Sequence, residues 1–162
     1  MDPCLADLQA IITAGLIPHL TCKVKNGLGA DDESPRDVLS LEITDSSTFE
    51  LYISAEAVKG TDILLSFRII GPVDSAHPAF PDFHLLMSEL HNTEYMLMLR
   101  RMQPGSTLVQ YGTGKLMNWT RDRAILQRIF ENTLIELRQF HISYHKDIAA
   151  WVRELDDASG KA

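Results

Sequence analysis

From Thr120 to about Asp157, apolar residues recur at steps of three or four: Leu126, Phe130, Thr133, Leu137, Phe140, Tyr144, Ile148, Trp151 and Leu155. An α-helix turns once every ~3.6 residues, so this spacing lays the side chains along one stripe. No Gly or Pro interrupts the run before Gly160. A helix of this length with one oily side demands a broad apolar layer to lie on. Any fold for the chain must supply that layer from the segments upstream.

Those segments read as strands. In Val38–Thr44, Leu39, Leu41 and Ile43 alternate with Ser40 and Glu42; Phe49, Leu51 and Ile53 repeat the pattern after Asp45-Ser46-Ser47. Ile63, Leu65, Phe67 and Ile69 then share a face opposite Leu64, Ser66, Arg68 and Ile70. Alternation of period two with short polar turns predicts an antiparallel meander. Before it, Leu5–Ile17 has helical spacing, closed by Gly15 and Pro18, and Leu20, Cys22 and Val24 read as a brief strand or arm. Asn26–Pro35 is the clearest loop, and its Asp31-Asp32-Glu33 lacks the alternating oxygen ligands of a calcium loop.

After a loop through Gly71-Pro72 and Pro78–Pro81, Phe83, Leu86, Met87 and Leu90 mark a second helix capped by Asp82. Tyr95–Arg100 and Leu108–Tyr111 make a strand pair around Pro104-Gly105, ended by Gly112 and Gly114. Thr120 is the expected N-cap of the long helix. Basic residues near its start and Glu154, Asp156 and Asp157 near its end oppose the helix dipole. The expectation is a mixed α/β (α+β) fold, an antiparallel sheet in the order α-βββ-α-ββ-α. It forms a single domain over residues 1–157, with a disordered tail at 158–162.

Composition narrows the function. The chain has 162 residues, 45% hydrophobic, and two cysteines, too few for a disulfide framework. No run approaches the ~20 apolar residues of a membrane span, and the N-terminus lacks a secretory signal, so a cytoplasmic location is expected. A net charge of −7 argues against a general nucleic-acid binder. Residues through Leu99 carry 5 basic against 15 acidic side chains, and those from Arg100 onward 10 against 7. That asymmetry suits steering of a basic or amphipathic peptide, and ordinary solubility explains it equally.

No reaction is written in the residues. His141 and His145 are four apart on the long helix and can share a metal, but both helix-borne metalloprotease motifs fail, with Ile142 and Tyr144 where Glu is required. His84 and His91, seven apart, lie about 10 Å from one another along a helix axis, too far for one ion. Gly112-Thr113-Gly114-Lys115 lacks the earlier Gly and the Ser/Thr of a phosphate loop, and a strand-to-helix turn accounts for it. Neither Ser106, Ser143 nor Cys4 has the setting of a nucleophile. No catalytic residue, metal ligand or cofactor is assigned.

Two features favour binding. Met96, Met98 and Met102 project from one strand face, where they either fill gaps under a helix or form an adaptable apolar surface; Arg100-Arg101 adjoin them. The sheet has two faces of substantial apolar content, with only three helices to cover them. The opening helix LADLQAIITAGL, the strands VLSLEIT, TFELYIS and ILLSFRIIG, the helix DFHLLMSELHN, the hairpin EYMLMLRRMQPGSTLVQYG and the closing helix together resemble the class I type III secretion chaperones and the related YbjN family in element order and pattern. The resemblance covers Leu5 to about Trp151. It implies a non-enzymatic homodimer that holds an effector or client polypeptide extended over apolar surface, or a YbjN-like regulatory adaptor. On that reading Leu64, Ile70, Met96, Met98, Arg100 and Met102 contact the partner. A small metal-dependent enzyme using His141 and His145 is the reading from another class.

Overall fold

The computed structural model describes residues 2–15, 20–28, 35–44, 50–58, 62–91 and 94–160, with side chains for all of these except 20–28, 35–37, 42–44, 50–52, 68–71 and 158–160. Its elements run α1 (Pro3–Thr13), β1 (Leu20–Leu28), β2 (Pro35–Thr44), β3 (Glu50–Val58), β4 (Asp62–Asp74), α2 (Phe80–Glu89), β5 (Met96–Arg101), β6 (Leu108–Asn118) and α3 (Arg123–Gly160). The six strands form one antiparallel sheet in the order β1-β2-β3-β4-β6-β5. This is the expected α+β architecture with the long helix last. The segment read as a strand or arm is the first strand of the sheet, paired with β2 from Leu20↔Ile43 to Leu28↔Pro35. The acidic loop residues Asp31–Glu33 lie outside the described residues.

Two compact units make up the chain: Met1–Phe67 with Gly114–Arg138, and Arg68–Thr113 with Gln139–Ala162. β4, β6 and α3 contribute residues to both.

In the first unit, the register sets Leu39 opposite Ala55, Leu41 opposite Ile53, and Ala55 opposite Leu65. Paired residues point to the same side of a sheet, so these buried side chains share one face. Ser40, Ser54 and Ser66 line up in the next row, on the other face. Helix α1 packs on β1, β2 and β3 and buries Leu5, Leu8, Ile11 and Ile12. Asp2 caps it by accepting from the Cys4 N–H at 2.8 Å, and Gly15, at φ 71°, ends it earlier than Ile17. Asp7 on α1 accepts a hydrogen bond from Trp119 Nε1 at 2.9 Å and lies 3.7 Å from Arg123. The first half of α3 buries Leu126, Phe130, Leu134 and Leu137. Each such side chain contributes about 1.5–3 kcal/mol of burial.

In the second unit, Val73 of β4, Phe83 and Met87 of α2, Val109 and Tyr111 of β6, and Ile148 and Leu155 of α3 form one core cluster. Helix α2 begins at Phe80, before the expected cap Asp82, because Pro81 tolerates the first turn, where no N–H is needed. Asp82 sits in that first turn as favourable negative charge.

Further boundaries differ from the sequence reading: β1 runs on through Asn26–Leu28 and β4 through Gly71-Pro72 to Asp74, both read as loop. Asp122, not Thr120, caps α3, its Oδ1 accepting from Ala124 N at 3.0 Å and Ile125 N at 3.2 Å. The helix continues to Gly160, because unfavourable terminal charges weigh only tenths of a kcal/mol and nothing before Gly160 breaks it. β6 runs unbroken through Gly112 and Gly114 to Asn118, so Gly112–Lys115 is mid-strand and not a turn. Glycine weakens a strand without forbidding it, and Lys115 is held by Glu136 at 2.7 Å.

Candidate functional site

The β5–β6 hairpin is built by its turn. Ser106 N donates to Gln103 O at 3.0 Å, with Pro104 and Gly105 between them and Gly105 at φ 78°. Proline followed by a left-handed glycine is the signature of a type II turn. Beyond it, Met102 N donates to Leu108 O at 3.0 Å, making these residues cross-strand partners.

That pairing fixes which way the side chains point. Val109 belongs to the core cluster, so its neighbour Leu108 points to the opposite face. Met102, across from Leu108, points the same way, and so do Met98 and Met96 by alternation. Leu97, out of phase with them, packs against the core cluster as the alternation requires. The outer face of the hairpin thus carries Met96, Met102 and Leu108 at 42%, 41% and 40% exposure, with Met98 half-buried. Arg100 and Arg101 are exposed beside them.

β5 is also the last strand in the sheet order, with a hydrogen-bonded neighbour on one side only among the described residues. Leu99, on its other face, is 48% exposed. An edge strand with apolar side chains on both faces is a template for another chain, and adjacent charges such as Arg100 and Arg101 are the usual restraint on indiscriminate pairing.

Of the six residues expected at a partner surface, Met96, Met98, Arg100 and Met102 fall together on this hairpin. Leu64 does not qualify. It is 5% exposed, flanked by buried Ile63 and Leu65, and its register partner Glu56 is buried too. Ser54, two residues along β3 from Glu56 and on the same face, is exposed, so that face is partly wet but not at Leu64. The Ile70 side chain lies outside the described residues. Sequence reasoning missed Leu108 and Leu99. Leu108 was within reach, since it stands in phase with the methionines across a five-residue connection.

Histidines fasten α2 to β6. His84 Nδ1 is 2.8 Å from the hydroxyl of Tyr111, whose ring meets Phe83 edge-on at 5.5 Å. Burial pushes the Tyr111 hydroxyl up to about 12, so it stays protonated. His91 Nδ1 lies 2.6 Å from Met87 O and its Nε2 3.0 Å from the buried Thr113 hydroxyl. A carbonyl only accepts, so Nδ1 carries the hydrogen and Nε2 accepts from Thr113. Burial holds the His91 pKa below its ordinary value, as this neutral arrangement requires. Phe140 packs its ring 5.1 Å from His91 and 5.0 Å from Tyr95. These two histidines serve packing, each with its own hydroxyl partner on β6.

His141 and His145 stack on α3, rings within 8° of parallel and centroids 4.8 Å apart. Among the described residues no three His, Cys, Asp or Glu side chains converge as a metal site. Cys4 is buried, and its thiol is pushed up to about 11 chiefly by that burial, so it is unreactive. No helix among the described residues is long and apolar enough to cross a membrane.

No protein-family model matches the chain, and no curated protein matches it either.

Proposed function

We propose that the chain is a non-enzymatic protein-binding module that holds a partner polypeptide on the outer face of the β5–β6 hairpin. The observation that carries this reading is the exposure of Met96, Met102 and Leu108 together on an edge hairpin. Methionine is flexible and polarisable and adapts to varied apolar partners. An extended segment adding to the β5 edge gains main-chain hydrogen bonds, while the methionine face receives its side chains.

The likeness in element order to type III secretion chaperones makes the partner an effector or client polypeptide kept from folding, in the cytoplasm, by a homodimer. A YbjN-like regulatory adaptor acting on a folded partner uses the same surface. The catalytic reading, with His141 and His145 as metal ligands, lacks the third ligand it needs among the described residues.

Hydrogen exchange on the protein co-purified with its partner tests the proposal. Amides of 96–102 are expected to slow when the partner is bound and to recover when it is stripped away. Unchanged exchange across β5 in a complex that does form would place the partner elsewhere and reject the reading.

A further inference from the structure

The side of β5 away from β6 dictates what an added strand must look like. Met102 N donates to Leu108 O, so the Met102 amide faces β6, and backbone groups alternate in direction along a strand. Leu97, Leu99 and Arg101 therefore turn their N–H and C=O groups the other way, where no further strand of the sheet lies among the described residues. The side chains beside that row are apolar on both faces, Leu97 and Leu99 on one and Met96 and Met98 on the other. Arg100 and Arg101 close the run at its C-terminal end. Arg101 shares the face of Leu97 and Leu99, is exposed, and makes no ion pair among the described residues. Arg100 already has an interaction within the chain, so Arg101 is the cation left to meet a partner.

We propose that the segment β5 receives is a continuous apolar run preceded by an acidic residue, added antiparallel to β5. This names the chemistry of the partner at the hairpin and rests on that reading of it. Antiparallel pairing is slightly the more stable per residue, and the sheet is antiparallel throughout. It sets the start of the incoming segment opposite Arg101, and opposed residues point to the same face, so a leading carboxylate meets the guanidinium. The third and fifth residues then fall opposite Leu99 and Leu97, the fourth and sixth opposite Met98 and Met96. Apolar side chains at all four places find apolar neighbours. A strand alternating apolar with polar, suited to one wet face, sets its polar residues against one of these two surfaces. A basic leading residue meets Arg101 with like charge. The net charge of −7 does not reverse this, because at physiological salt the fields of exposed charges fade beyond ~8 Å and the adjacent guanidinium governs.

Three labelled synthetic hexapeptides test the assignment on the intact chain. One has an acidic residue first and an apolar run at its last four places, the second has lysine in place of the acid, and the third is the first in reverse order. Fluorescence anisotropy at low salt is expected to show the acid-first peptide binding roughly three- to fivefold tighter than the lysine-led one, the scale of an exposed ion pair gained and a like-charge contact avoided. The reversed peptide is expected to bind more weakly than the acid-first one. Arg101→Gln is expected to erase the preference for acid over lysine, as is high salt, and because Arg101 is exposed the replacement leaves the fold intact. With the acid-first peptide bound, hydrogen exchange is expected to slow at the amides of Leu97, Leu99 and Arg101 and to change little at Met98 and Arg100, which face β6. Equal affinity for acid-first and lysine-led peptides, equal or tighter binding of the reversed one, or no binding of any of them overturns the inference. Protection of Leu97, Leu99 and Arg101 that grows with protein concentration in the absence of peptide assigns the edge to a second copy and overturns it too. The hairpin reading is judged separately, by whether the co-purified polypeptide protects β5, and survives a failure of the peptide ranking.

Discussion

At the scale of single residues, His91 shows how burial becomes a pH dependence. Its folded pKa lies below the ordinary 6.5, chiefly because burial disfavours the imidazolium. The unfolded chain therefore binds the proton first as pH falls. Stability is expected to be fully present above about pH 6.5 and to decline as pH falls from there toward the folded pKa. His141, whose pKa is lowered by burial and then by repulsion from His145, adds a contribution of the same sign. Urea unfolding followed across pH checks this, and His91→Gln is expected to flatten the slope. Thr113→Val removes the hydroxyl that Nε2 accepts from, leaving that nitrogen buried and unsatisfied at a cost of about 1–3 kcal/mol. These two couplings were not legible beforehand, because a histidine seven residues from another says nothing of the strand it will meet.

Between elements, caps and turns decide where the fold can bend. Asp122 satisfies two N–H groups at the start of α3, so Asp122→Ala is expected to cost about 1 kcal/mol in chemical denaturation, and Thr120→Ala much less. A methyl group added at Gly105 meets no atom within 4 Å, so a side chain there meets strain only from φ 78°. Gly105→Ala should therefore destabilise by roughly 1–2 kcal/mol through the backbone alone. Elements with strong periodicity were readable: the α3 stripe, the β2–β4 alternation and the Pro104-Gly105 turn all stand where the spacing placed them. Boundaries set by competition were not. Thr120 is the expected cap, and Asp122 takes the position by accepting from two amides. Gly112 and Gly114 looked like an ending because glycine weakens strands, yet β6 carries them in its interior. Leu64 looked open because it is out of phase with Ile63 and Leu65, and the structure buries both Leu64 and its partner Glu56.

For the whole molecule, the account rests on what the β5–β6 hairpin leaves uncovered. The pattern of methionines was visible in the sequence, but its exposure was not, since the same spacing serves a strand roofed by a helix. The pairing of Met102 with Leu108 and the core position of Val109 settle the direction those side chains point. Replacing Met96 and Met102 together by Glu is expected to leave the far-ultraviolet circular dichroism and melting temperature nearly unchanged, because both side chains are about two-fifths exposed. The same change places charge where an apolar partner must dock. The most direct measurement is quantitative capture of the co-purifying polypeptide by wild type and by this double variant at equal concentration. The account predicts a stoichiometric partner on the wild type and a loss of about tenfold or more on the variant, as expected when central apolar anchors are replaced. Equal capture by the two proteins would contradict it.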